Sequence, residues 1–100
     1  MREIDIDQAA AALEQGATVV DVREPSEYVD GHLPGAVNIP MGQLPGRTDE
    51  LDKETTTYVV CASGNRSGAM TDFLTGSGFD AVNIAGGTSA WIRAGRPTEK

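Results

Sequence analysis

Residues 57–67 read Thr57-Tyr58-Val59-Val60-Cys61-Ala62-Ser63-Gly64-Asn65-Arg66-Ser67, and no other segment says as much about the architecture. Thr57 to Val60 are β-branched or aromatic and do not alternate polar with apolar, as expected of a strand buried on both faces. The apolar run stops at Cys61 and a short polar loop follows. From Ser67 onward, Met70, Phe73 and Leu74 fall at i, i+3 and i+4, which predicts a helix ended by Gly76 and Gly78. A buried strand feeding a helix through a tight loop is the unit of a parallel α/β sheet.

The flanking sequence repeats this alternation. Ile4 and Ile6 suggest a brief first strand, and Asp7 can cap a helix through Ala9, Ala10, Ala12 and Leu13 that Gly16 ends. Thr18 to Val22 form a nearly continuous apolar strand. Pro25 suits a first helical position, and Gly31 stops that short helix. Ala36 to Ile39 give a further strand closed by Pro40. Residues 42–56 are polar and broken by Gly42, Pro45 and Gly46, so they read as a loop with at most a short helix around Asp49–Lys53. The charges of Asp49–Glu54 suit a solvated face. Ala81 to Ile84 form the last strand, and Gly86-Gly87 turns into a helix from about Thr88 to Ala94, stopped by Gly95 and Pro97. Residues 1–100 are therefore expected to form one α/β domain, a mainly parallel sheet with helices on both faces.

Composition narrows the function. The 100 residues carry 8 basic and 15 acidic side chains, a net charge of −7. Binding to nucleic acid or to an anionic membrane surface needs a cationic face, so neither is expected. No apolar run approaches the ~20 residues of a membrane span. No signal-type apolar core stands at the N-terminus, so the cytoplasm is the expected location. One Cys and one His exclude an internal disulfide and a Cys/His zinc site. Residues 1–30 hold 2 basic and 8 acidic groups, net −6; residues 31–54 are net −2; residues 55–100 are net +1. Only the last part does not repel a small anion.

The chemistry points to the loop. In open α/β sheets the ligand crevice lies at the carboxyl ends of the strands, so the single thiol stands at its expected edge. Gly64 and Asn65 are the residue types that best tolerate positive φ, and such a loop can turn its backbone N–H groups inward as an anion nest. The following helix adds free N–H groups and a positive dipole end, and Arg66 adds a full charge. A free thiol of pKa ~8.5 is only a few per cent thiolate at neutral pH. A helix end contributes up to ~2 kcal/mol, about 1.5 pKa units, which makes the thiolate roughly half populated. A lone Cys is as a rule a small buried hydrophobe. Strand-end position, polar loop and adjacent Arg reverse that rule here and predict a nucleophilic Cys61 in an anion-holding cradle.

Other candidates read as structural. His32 follows a turn and is read as structural, with a carboxylate as a candidate partner. Asp21 and Arg23 flank Val22 at a strand end and suit an ion-pair network. Trp91 is expected in a small core. Gly86-Gly87 are not a phosphate loop, because no Lys-Ser/Thr follows.

Three parts of the chain together resemble the rhodanese family over roughly residues 4–97. They are Asp21-Val22-Arg23-Glu24 with Glu27-Tyr28 and Gly31 to Pro40; the loop Cys61 to Arg66 followed by Ser67; and Gly86-Gly87, Trp91 and Gly95-Arg96-Pro97. The resemblance implies a single rhodanese-like domain with a five-stranded sheet. It implies a sulfurtransferase in which Cys61 takes a sulfane sulfur from a small anionic donor such as thiosulfate and passes it, as a persulfide, to cyanide or a thiol. By the same resemblance, the N–H groups from Ala62, Ser63, Gly64, Asn65 and Arg66 through Ser67 form the cradle and Arg66 polarises the donor. Asp21, Arg23, Glu27 and His32 match structural positions. No metal or organic cofactor is implied. With no second thiol in the chain, the sulfur must leave to an external acceptor or a sulfur-relay protein.

Two alternatives belong to other classes. A non-catalytic carrier or interaction module is one, although such members of the family commonly lack the loop Cys. A Cys-dependent phosphatase or arsenate reductase is the other. Its pattern has five residues between Cys and Arg, whereas four separate Cys61 from Arg66. Members of the family that prefer thiosulfate often carry basic residues just after the Cys. Ala62 and Ser63 are neutral, which leaves a mercaptopyruvate-like or persulfide donor open.

Overall fold

The computed structural model describes residues 1–100. Its elements are β1 (Glu3–Ile4), α1 (Ile6–Glu14), β2 (Thr18–Asp21), α2 (Pro25–Tyr28), β3 (Val37–Asn38), β4 (Thr57–Val60), α3 (Asn65–Gly76), β5 (Ala81–Ile84) and α4 (Gly87–Arg93). Two 3₁₀ turns, Leu44–Gly46 and Thr48–Glu50, lie between β3 and β4. The strands form one sheet in the order β1-β5-β4-β2-β3, and every pair is parallel. The α/β expectation holds. The sheet is wholly rather than mainly parallel, and its two edge strands have two residues each.

The apolar runs are explained by burial on both faces. Val20 of β2 and Val59 of β4 are in register and point into one core with Ile39, Leu44, Leu74 and Phe79. Their neighbours Val19 and Val60 point into the other, with Ala9, Leu33, Ile84 and Trp91. Helix α3 covers the first face through Leu74, with Met70 and Phe73 at its margin. Helices α1 and α4 cover the second through Ala9 and Trp91. Each fully buried aliphatic side chain contributes roughly 1.5–3 kcal/mol.

Several element ends differ from expectation. Ile6 opens α1 rather than ending a strand, and Asp5, not Asp7, is the cap. Asp5 accepts the Gln8 N–H at 2.8 Å while Gln8 Oε1 accepts the Asp5 N–H at 3.0 Å. That reciprocal pair needs a Glu or Gln three residues on, and Asp7 has Ala10 there. Asp7 instead pairs with Arg96 at 2.6 Å. Helix α3 begins at Asn65, two residues early, because Gly64 at φ +110° turns the chain straight into it. Only glycines have positive φ, so Asn65 does not use its tolerance for it. The loop expected over residues 42–56 carries two 3₁₀ turns, the first pinned by fully buried Leu44 and the second, Thr48–Glu50, at the edge of the stretch where at most a short helix was expected.

Candidate functional site

Cys61 follows the last residue of β4, at the carboxyl end of the central strand, and is 1% exposed. The loop bends back so that the Gly64 N–H donates to Sγ at 3.0 Å and the Ser67 hydroxyl donates at 3.3 Å. Burial pushes the thiol pKa up. Donation from the Ser67 side chain, and from the backbone N–H groups of Ser67, Gly64 and Ser63, outweighs it, so the net shift is downward. The arrangement can hold a sulfur anion with backbone dipoles and one hydroxyl. Ser67 is fully buried on the first turn of α3, while Ser63 and Asn65 are exposed and Ala62 is half-buried.

The loop's shape comes from α4. The Thr88 N–H donates to the Cys61 carbonyl and the Ser89 N–H to the Ala62 carbonyl, both at 2.9 Å. In a trans peptide the N–H points opposite to the C=O. Tying these two carbonyls to α4 therefore turns the Ala62 and Ser63 N–H groups away from it. Gly87 permits this approach: a Cβ there would lie 2.5 Å from the Cys61 oxygen and 2.6 Å from the Ala62 oxygen, and its φ is +60°. The Gly86-Gly87 pair lacks the Lys-Ser/Thr of a phosphate loop. Its part here is to let one backbone lie against another, and paired glycines between a strand and a helix were the only signal.

The sheet order sets β2 beside β4, which brings residues 21–32 to the same end of the molecule. Fully buried Asp21 accepts from Arg23 Nε at 3.0 Å and Nη2 at 2.8 Å, and Arg23 Nη2 also reaches the Gly31 carbonyl at 2.8 Å. Asp21 and Arg23 thus form a buried ion pair that also holds the Gly31 carbonyl. Glu27 belongs to a second pair: Arg66 Nη1 and Nη2 grip its two carboxylate oxygens at 2.8 and 2.9 Å. Hydrogen bonding to Arg66, opposed by burial, brings the Glu27 pKa down to about 2. The bond to Glu27 raises the Arg66 pKa, and the nearby Cys61 charge adds to that. Arg66 is therefore engaged and not held free over the thiol. His32 takes a carbonyl rather than a carboxylate as its hydrogen-bond partner. Its Nδ1–H donates to the Tyr28 carbonyl at 2.9 Å and its ring stacks on Tyr28, 3.7 Å between centroids, while Nε2 is 4.0 Å from Glu99. A backbone carbonyl four residues back meets the ring before any carboxylate does. Trp91 is 3% exposed in the second core, as expected, and its Nε1–H donates to the Pro97 carbonyl.

No group of three or more His, Cys, Asp or Glu could hold a metal ion, and no helix is long and apolar enough to cross a membrane.

The geometry has known counterparts. A family model described as the rhodanese-like domain matches residues 5–94. The thiosulfate sulfurtransferase GlpE of Pseudomonas entomophila is 36% identical over 91 residues, 90% of this chain and 84% of that protein. A sulfurtransferase of Allochromatium vinosum is 34% identical over 100 residues, 97% and 94% of the two chains. Among solved structures, a rhodanese-related protein of Thermoplasma volcanium superposes with a TM-score of 0.94 at 34% identity, covering 99% of this chain and 98% of that one.

Proposed function

The chain belongs to the rhodanese-like domain family, and from that membership we propose that it transfers sulfane sulfur through a persulfide on Cys61. The thiolate attacks the outer sulfur of a small anionic donor such as thiosulfate or a similar compound, the donor's bond to that sulfur breaks, and the remainder, sulfite in the case of thiosulfate, leaves with the electron pair. That sulfur stays on Cys61 as a persulfide until an external acceptor, cyanide or a thiol, takes it. The observation that carries the reading is the convergence of the Gly64 N–H and the Ser67 hydroxyl on Sγ at 3.0 and 3.3 Å. These donors favour the thiolate that attacks. In this reading the N–H groups of the loop stabilise the persulfide that follows. No metal or organic cofactor takes part in this scheme.

A sulfur carrier that hands its persulfide to a partner protein uses the same residues. The single Cys favours an external acceptor in either case, because the chain has no second thiol to form an internal disulfide. The test is intact mass after incubation with a sulfur donor. The protein should gain one sulfur atom, lose it on adding cyanide or dithiothreitol, and show no gain as Cys61→Ser. Full transfer activity in Cys61→Ser would end this reading.

A further inference from the structure

The charge inventory around the loop is balanced. Arg23 is spent on Asp21 and the Gly31 carbonyl. Arg66 is spent on both oxygens of Glu27. Ala62, Ser63, Gly64 and Asn65 carry no charge, and His32 Nδ1 is committed to the Tyr28 carbonyl. Each cation near Cys61 is thus matched by a carboxylate, and the charge left over is that of the thiolate. A thiosulfate ion brings two negative charges to this place and meets only dipoles. A hydropersulfide, R–S–SH, carries at most one charge at its reacting end.

We propose that Glu27 is a specificity-determining residue: by occupying Arg66 it turns the site toward the outer sulfur of a hydropersulfide and away from thiosulfate. The proposal rests on the sulfur-transfer reading above and names its donor. The step balances without any other reactant. Sγ⁻ attacks the outer sulfur, the Sγ–S bond forms and the donor's own S–S bond breaks. R–S⁻ leaves with the electron pair, and the proton stays on the transferred sulfur. With thiosulfate the leaving group is sulfite, whose charge asks for a free guanidinium fork. Because the Glu27 carboxyl titrates at about 2, it holds Arg66 throughout the neutral range.

The experiment follows loading of Cys61 by intact mass in single turnover, with glutathione persulfide, a persulfidated cysteine peptide and thiosulfate as donors. The unaltered protein should load from one or both persulfides roughly tenfold faster than from thiosulfate at equal concentration. The two persulfides separate a low-molecular-weight source from a polypeptide one. Glu27→Gln should move the thiosulfate-to-persulfide rate ratio toward thiosulfate by about tenfold, and added salt should reverse the gain. Glu27→Gln with Arg66→Gln should lose it. If Glu27→Gln does not fold, Glu27→Asp, shorter by one methylene, should shift the ratio the same way. Loading from thiosulfate as fast as from both persulfides, or a change in Glu27→Gln by one common factor for all donors, overturns the proposal while leaving sulfur transfer intact. Loading from no donor would sink the sulfur-transfer reading itself.

Discussion

At the scale of single residues, the weight falls on Ser67. Its hydroxyl is the one side-chain donor to Sγ, at 3.3 Å, and it is fully buried. A hydrogen bond to a charged group contributes about 1.5–3 kcal/mol, and 1.36 kcal/mol is one pKa unit. Ser67→Ala should therefore raise the Cys61 pKa, because it removes a donor that favours the thiolate, read from the pH dependence of alkylation by iodoacetamide. An unmoved profile would mean that the backbone donors of Ser63, Gly64 and Ser67 suffice. The thiol itself was legible in the sequence, because an apolar run that stops at a Cys before a Gly-containing loop has few other uses. The partner of Arg66 was not. Glu27 lies 39 positions earlier and meets Arg66 only because the sheet order sets β2 beside β4.

Among the elements, α4 acts on the loop more directly than its length suggests. Gly87→Ala would force a Cβ to within 2.6 Å of two carbonyl oxygens at a residue with φ +60°. Either effect alone costs about 1–2 kcal/mol. We expect a loss of at least about 2 kcal/mol in urea unfolding, together with a raised Cys61 pKa in whatever fraction stays folded. Strands β4 and β5 were readable as apolar runs because burial on both faces suppresses polar alternation. Helix starts were read less well. Asp5 and Asp7 are both plausible caps, and the choice turned on Gln8. The start of α3 turned on which of two residues, Gly64 or Asn65, took the left-handed conformation.

Across the whole molecule, two ion pairs of different character join the loops at one end of the sheet. Asp21 and Arg23 are 0% and 6% exposed, so removing one partner strands a buried charge. Asp21→Ala should cost about 3–5 kcal/mol by urea unfolding. A loss below about 1 kcal/mol would show that the pair behaves as a solvent-exposed one. Glu27 and Arg66 are about one-third exposed, and their contribution depends on pH. The folded Glu27 pKa, about 2, lies below the unfolded value of about 4.3. The stabilisation is therefore complete above the unfolded value and is lost as pH falls through the folded one. The stability gap between the protein and Glu27→Gln should be full at pH 7, shrink below about pH 4.3 and close near pH 2. A gap that did not vary with pH would assign the loss to packing. The sheet's outline has a consequence of another kind. Both edge strands are two residues long. β1 carries Glu3, and Asn38 of β3 spends its side-chain amide on the Asp21 and Arg23 carbonyls. An incoming chain finds almost no open ladder to extend, so a crowded solution, or a second domain fused alongside, meets a surface that does not template fibre growth.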